Sequence, residues 1–432
     1  MTTDNKRLVP RQYLIPFVLV TALFFLWAIP HNLNDVLIRQ FMKSFEITRL
    51  KAGLIQSAFY LGYFALSMPA AMIMRRKGYK FGLVVGLFLY IIGTLLFWPA
   101  ALVGQYGFFL LALFVIAAGL GFLETGANPF IAQLGDSASS ERRLNFSQAF
   151  NPLGAISGAL IGTVFIFSGI ELNKNQVAAL KAAGTYQAYL HHETLRVIRP
   201  YLVLACVVFI LAVLIIRTKF PQVAGEGAEE LAPGRGLREL FRFPHYVTAV
   251  IAQFFYVGAQ VGTWSYFIQY IQSYTHQPEK IAGYFLSGTL VAFCAGRFSS
   301  TYAMKFVRPS LLMGIFAAIN VCLVAIAVLL PGWIGLWAIF VTSFFMSLMF
   351  PTIFALGIKG LGPDTKIGGS LLIMAIVGGA AFTPIMGLIS DKTGSMAAAM
   401  LVPLCCYVFI AWYSFVGSRM RSAALVAAHL ED

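Results

Sequence analysis

Phe81 to Leu134 read FGLVVGLFLYIIGTLLFWPAALVGQYGFFLLALFVIAAGLGFLETGANPFIAQL, and the single charged side chain in that run is Glu124. A helix needs about 20 apolar residues to cross the roughly 30 Å of hydrocarbon in a bilayer. The run therefore holds two spans, 81–103 and 107–133, and places one carboxylate inside the second. Another uncharged stretch, Leu14 to Ile29, opens the chain's apolar sequence in the same way. Over all 432 residues, 59% are apolar, 11% are charged, and the mean hydropathy is +0.79. Soluble domains carry about a quarter charged residues to meet water. The shortfall here means that most of the surface meets lipid. In lipid every backbone polar group must be satisfied internally, which single apolar segments achieve as helices. The fold class is all-α integral membrane.

Twelve spans are expected, at roughly 13–39, 52–74, 81–103, 107–133, 145–168, 200–216, 246–274, 281–304, 310–330, 334–357, 367–390 and 397–418. Lys and Arg concentrate in the connections that lie on the N-terminal side of the membrane, with clusters at Arg75, Arg76 and Lys77, at Arg142 and Arg143, and at Arg235, Arg238 and Arg242. Basic loops stay in the cytoplasm, so both termini are expected inside. The polar, Gly/Pro/Glu-rich connection 217–245 reads as a cytoplasmic linker between an N-terminal six-helix half, 1–216, and a C-terminal six-helix half, 246–432. An internal repeat agrees: Pro129, Ile131, Leu134 and Gly135 end span four with the offsets at which Pro351, Ile353, Leu356 and Gly357 end span ten. Two halves related by an axis along the membrane normal describe the major facilitator architecture, in which the solute site lies near the bilayer midplane. The outer segment 170–199 reads as a capping loop with a short amphipathic helix.

The net charge of +14 does not indicate nucleic acid, because the positive charges sit in short loops where topology requires them. Cys206, Cys294, Cys322, Cys405 and Cys406 all fall in apolar runs, with no CxxC pair or Cys/His cluster, and read as small packing residues. The first apolar run is too long for a cleaved signal peptide. No nucleophile–base pair or metal-ligand spacing points to an enzyme, and the sequence calls for no metal and no cofactor.

A charge in the bilayer core costs about 2.5–3.5 kcal/mol, so each intramembrane ionisable residue is a functional candidate. Glu124 lies in Gly119-Leu-Gly-Phe-Leu-Glu124-Thr-Gly-Ala-Asn128-Pro129, with no Lys or Arg within a helical turn or two. Such a carboxylate is a candidate for binding and releasing a proton, and the competing reading is a partner across helices such as Arg297. Asp35 closes the polar run His31-Asn32-Leu-Asn34-Asp35 in span one. It shares a face with Asn32 and His31; the competing reading pairs it with Arg39. Gln56 in span two, Gln148 and Asn151 in span five, and Gln253, Tyr256, Gln260, Trp264, Tyr266, Gln269 and Tyr270 in span seven add amides and aromatic rings. Amides both donate and accept, as a ring of hydroxyls requires, and aromatic faces pack on the C–H faces of a pyranose. Paired cationic groups, which phosphate or carboxylate solutes would want, are missing from the core.

At these residues the chain resembles the fucose–proton symporter family of the major facilitator superfamily. The motifs are Phe25-Leu-Trp27-Ala-Ile-Pro-His-Asn32-Leu-Asn34-Asp35, Ala52-Gly-Leu-Ile-Gln56-Ser-Ala-Phe-Tyr60, Ala117-Ala-Gly-Leu-Gly-Phe-Leu-Glu124 with Ala127-Asn-Pro-Phe130, and Pro351-Thr-Ile-Phe-Ala-Leu-Gly-Ile-Lys359. The resemblance implies a proton-coupled sugar symporter working by alternating access. It implies Glu124 as the carboxylate that binds sugar and proton, Asp35 as the second coupling carboxylate, and Trp27, Asn32, Gln148 and Asn151 around the sugar, with Gln56 and Gln260 added from the residue types. His31 stands where Asn is expected, and Phe350 where a Tyr hydroxyl is expected. Gly387-Leu-Ile-Ser-Asp391-Lys-Thr-Gly394 resembles a superfamily loop motif but falls at the outer end of span eleven. The expected partners are a small sugar, protons and the lipid bilayer, with no nucleic acid, in a monomer of the bacterial inner membrane. A sodium-coupled carrier or one for glucose, galactose or N-acetylglucosamine is the alternative.

Overall fold

The computed structural model describes residues 9–134, 143, 146–221, 240, 242–304, 306–358 and 365–419. Most of the expected linker, 222–239, lies outside the described residues, as do Arg142 and Lys359 of the sequence motifs. Among the described residues the chain is helical throughout, with no strand. The helices are α1 (Leu14–Ser44), α2 (Arg49–Leu95), α3 (Phe97–Val103), α4 (Tyr106–Gln133), α5 (Phe150–Ile161), α6 (Lys174–Ala182), α7 (Tyr186–Leu195), α8 (Ile198–Arg217), α9 (Pro244–Thr275), α10 (Glu279–Ala303), α11 (Pro309–Leu329), α12 (Trp333–Met346), α13 (Met349–Ile358), α14 (Thr365–Met374), α15 (Gly378–Thr393), α16 (Met396–Ala399) and α17 (Leu401–Phe415). Helix α2 breaks at Gly78, whose φ of 82° lies in the region glycine enters at no steric cost; the break turns one long helix into two spans.

Eleven helical stretches among the described residues are long and apolar enough to cross a membrane. The twelfth span is α9, which has 32 residues and no Asp, Glu, Lys or Arg. Gln253, Gln260, Gln269 and Gln272 dilute its apolar character. The chain divides into two compact units, one of residues 1–47 and 58–230, the other of residues 48–57 and 231–432. The first turns of α2 therefore group with the second unit.

Prolines inside spans shape both units. A proline lacks the N–H that would bond the carbonyl four residues back, and in lipid that carbonyl needs another donor. In the first unit Pro30 releases the Leu26 carbonyl, and the Tyr90 hydroxyl donates to it at 3.0 Å. In the second, Pro384 releases the Ala380 carbonyl, which accepts from Ser57 Oγ at 2.7 Å. Pro351 likewise releases the Ser347 carbonyl, which accepts from Arg297 Nη2 at 3.4 Å.

Close helix approach comes from small residues. Gly154 and Gly158 of α5 are one turn apart and face α1. A Cβ at Gly154 would sit 2.1 Å from the Phe25 carbonyl oxygen, and one at Gly158 would sit 2.5 Å from that of Ile29. Only glycine permits this backbone separation, as in other small-residue helix pairs in membranes. The 170–199 segment forms α6 and α7 and is fastened to the end of α1. Lys43 Nζ lies 3.0 Å from Glu193 Oε2 and donates to the Ile170 carbonyl at 2.7 Å; Gln40 Nε2 donates to the Glu193 carbonyl at 2.9 Å. Arg39 pairs with Glu171 at 3.5 Å.

Candidate functional site

Glu124 is half-buried near the middle of α4. The chain approaches α2 closely just before it: a Cβ at Gly121 would lie 3.3 Å from Ser67 Oγ and 3.6 Å from the Tyr63 carbonyl. This proximity lets the Tyr63 hydroxyl donate to the Glu124 carboxylate. One turn on, Asn128 Nδ2 donates to the Glu124 main-chain carbonyl at 3.0 Å, and Asn128 Oδ1 accepts from Gln148 Nε2 at 3.3 Å. Asn128 thus ties Gln148 to the α4 main chain at Glu124, a role not assigned from the sequence motif. Among the described residues Glu124 forms no ion pair; Arg297, its candidate partner from the sequence, bonds the Ser347 carbonyl instead.

Trp27 and Asn151 meet at Phe24. The Trp27 and Phe24 rings are 4.3 Å apart, and Asn151 Nδ2 donates to the Phe24 carbonyl at 3.3 Å. Gln148 is exposed and Asn151 half-buried although both follow or lie within a span. Asn32 is buried; its Nδ2 donates to the Ala28 carbonyl at 2.9 Å, while its Oδ1 has no hydrogen-bond partner among the described residues. Asp35, on the same helix, is buried at 3% exposure. His31 Nε2 hydrogen-bonds the Tyr60 hydroxyl.

The remaining sequence candidates stand in the second unit. Gln56 is buried and donates from Nε2 to Ser265 Oγ at 2.9 Å. Gln260 is half-buried on α9. The aromatic tips of α9 hold helices together: Tyr256 donates to the Met346 carbonyl at 3.0 Å, Tyr266 to that of Arg49 at 2.7 Å, Tyr270 to that of Ala327 at 2.6 Å, and Trp264 Nε1 to Ser343 Oγ at 3.0 Å. Phe350 packs edge-on against Tyr256, ring centroids 6.3 Å apart. Asp391, in the loop-like motif at the end of α15, accepts the N–H of Arg49 at 3.1 Å and of Leu50 at 2.8 Å, so it caps the first turn of α2.

Sequence reasoning passed over Tyr60, Tyr63 and Asn128 as site residues. Gln56, Tyr60 and Tyr63 follow one another at helical spacing on one face of α2, which was the available signal. No group of three or more His, Cys, Asp or Glu close enough to hold a metal occurs among the described residues.

Twelve spans in two units, with a carboxylate set among amides inside a span, define the class of secondary transporters. Residues 14–368 match the Major Facilitator Superfamily, and the chain belongs to it. It is 43% identical over 416 residues, 95% of this chain and 94% of the other, to the L-fucose-proton symporter of Escherichia coli K12. It is 34% identical over 416 residues, 95% of each chain, to the glucose/galactose transporter of Brucella abortus. Among solved structures, the crystal structure of the major facilitator transporter FucP in the outward conformation superposes with a TM-score of 0.71 at 43% identity, covering 94% of this chain and 99% of that one.

Proposed function

We propose that this chain is a proton-coupled symporter that imports L-fucose or a related hexose or 6-deoxyhexose by alternating access. The observation that carries the reading is Glu124: a half-buried carboxylate inside a span, bonded by the Tyr63 hydroxyl, with no cation paired to it among the described residues. The relatives named as L-fucose-proton symporters in E. coli and Haemophilus influenzae support the solute and the ion.

In this reading protonated Glu124 is neutral and tolerates the occluded, dry state. The sugar's hydroxyls bond Gln148, Asn151 and Asn32, whose Oδ1 is available, and its apolar face packs on Trp27. Gln56 and Gln260, in the second unit, are the further candidates for sugar binding. Asp35 is the second coupling carboxylate. On release to the higher-pH cytoplasm, Glu124 gives up the proton and the sugar follows. We further assign 1–216 and 246–432 as the two six-helix halves and 217–245 as a cytoplasmic linker, in a monomer of the bacterial inner membrane with both termini in the cytoplasm.

The experiment is uptake and counterflow of labelled L-fucose, D-glucose and D-galactose in proteoliposomes, with and without a proton gradient and with sodium replaced. Proton-driven accumulation that survives sodium replacement supports the reading, and Glu124→Gln should abolish accumulation. A Gln variant that still concentrates sugar overturns it. Phe350, which lacks the hydroxyl that L-fucose recognition is expected to use, favours glucose or galactose as the second solute reading.

A further inference from the structure

Main-chain carbonyls fix the orientation of three amides in the first unit. A carbonyl oxygen only accepts, so the amide group that meets it must be the NH2. Asn32 Nδ2 donates to the Ala28 carbonyl at 2.9 Å, and Asn128 Nδ2 to that of Glu124 at 3.0 Å. Both bonds reach back one helical turn. Asn151 Nδ2 donates from α5 to the Phe24 carbonyl of α1 at 3.3 Å. The oxygen is the other arm of the same planar amide, so fixing the NH2 fixes the oxygen.

Asn128 passes this constraint on. Its NH2 is held by the Glu124 carbonyl, so its Oδ1 is the atom that meets Gln148. Only the NH2 of Gln148 bonds an amide oxygen, and Nε2 does so at 3.3 Å. Gln148 is exposed, and its Oε1 is left over. Among the described residues no group donates to Gln148 Oε1, Asn151 Oδ1 or Asn32 Oδ1. Hydrogen bonds in series polarise one another, so each amide engaged through its NH2 offers a better acceptor at its oxygen.

We propose that the solute site of the first unit reads sugar hydroxyls as hydrogen-bond donors, through the amide oxygens of Gln148, Asn151 and Asn32, and that Asn128 is the positioning residue that sets this polarity at Gln148. The inference rests on the sugar reading above. A hydroxyl fills an amide oxygen with its hydrogen. Fluorine has nearly the size and polarity of a hydroxyl but no hydrogen, so it leaves the amide oxygen unfilled. The substrates are therefore sugars whose hydroxyls are free at the positions these amides meet.

The test is competition with counterflow in proteoliposomes, using L-fucose, or D-galactose if the parent exchanges that instead. The competitors are deoxy and deoxyfluoro analogues of that sugar, one ring hydroxyl at a time. At one position or more, both analogues should compete about threefold to tenfold less well than the sugar, the range for one neutral hydrogen bond. A fluoro analogue that recovers the affinity wherever the deoxy analogue fails overturns the proposal, because the protein then donates at those positions. A panel in which no deoxy analogue is weakened overturns it too. Asn128→Leu releases Gln148, whose NH2 is then free to turn toward fluorine. The fluoro-to-deoxy ratio should rise about threefold or more at one position, which a purely structural role would not cause. If Asn128→Leu does not fold, Asn128→Ala is read in the same way. An unchanged ratio, or loss of exchange in both variants, overturns the role of Asn128. A parent that exchanges no sugar overturns the sugar reading and this inference with it. One that exchanges sugar but fails the fluorine comparison overturns the inference alone.

Discussion

The Tyr90 hydroxyl donates to the main-chain carbonyl of Leu26 at 3.0 Å, the carbonyl that Pro30 leaves without its helical partner. One side chain on the second half of α2 thus makes a proline in α1 tolerable. Tyr90→Phe removes the donor and leaves a buried carbonyl unpaired, which costs about 1–3 kcal/mol. A lowered unfolding midpoint in detergent is the expected result, and an unchanged midpoint would show that the carbonyl finds another donor.

Gly158 sits where a Cβ would lie 2.5 Å from the Ile29 carbonyl oxygen. Gly158→Leu must push α5 from α1 and should cost about 1–3 kcal/mol or more through overpacking. Low yield of folded protein on size exclusion, with the same change at exposed Gly107 tolerated, is the pattern to look for; Gly107 has nothing within 4 Å of its added Cβ.

Lys43 and Glu193 form a nearly dry ion pair, with side-chain exposures of 10% and 1%. Glu193→Gln strands the ammonium and should destabilise by about 3 kcal/mol, the low end for a broken buried pair, because Lys43 keeps its bonds to Ser168 and Ile170. Protease sensitivity of the 170–199 segment should rise. If it does not, the charge is dispensable for docking α7.

Asp391 caps α2 by accepting two main-chain N–H groups. Asp391→Asn keeps the size but loses the charge and one of the two acceptor oxygens, for about 1 kcal/mol. Faster amide exchange at Arg49 and Leu50 is the direct readout.

Phe350→Tyr restores a hydroxyl to a position where resemblance expects one. A single neutral hydrogen bond contributes about 0.5–1.5 kcal/mol, so counterflow preference for L-fucose over D-galactose should rise by up to about tenfold. An unmoved preference would place this side chain away from the solute.

The candidate carboxylates and amides are legible in the sequence. Glu124 and Asp35 stood out because a charge in lipid is costly wherever the helix places it, a property of the residue and its flanks alone. The amides of Gln148 and Asn151 stood out for the same reason. Tyr60, Tyr63 and Asn128 did not, because aromatic and amide residues are common in spans and are usually glue between helices. The tyrosines of α9 show the converse: promising in sequence, they bond the carbonyls of Met346, Arg49 and Ala327 in the structure.

The sequence by itself determined the helical class, the spans and the carboxylates within them, because the transfer of each segment from water to lipid depends on its own composition. Even α9, diluted by glutamines, was recognisable by its length and lack of charge. Only the tertiary structure decided which hydroxyl meets which released carbonyl, and that His31 on α1 reaches Tyr60 on α2. Those pairings depend on how helices distant in sequence rotate and approach. Close packing sets that geometry, through contacts such as Gly154 against Phe25 and Gly158 against Ile29, and no local pattern encodes it.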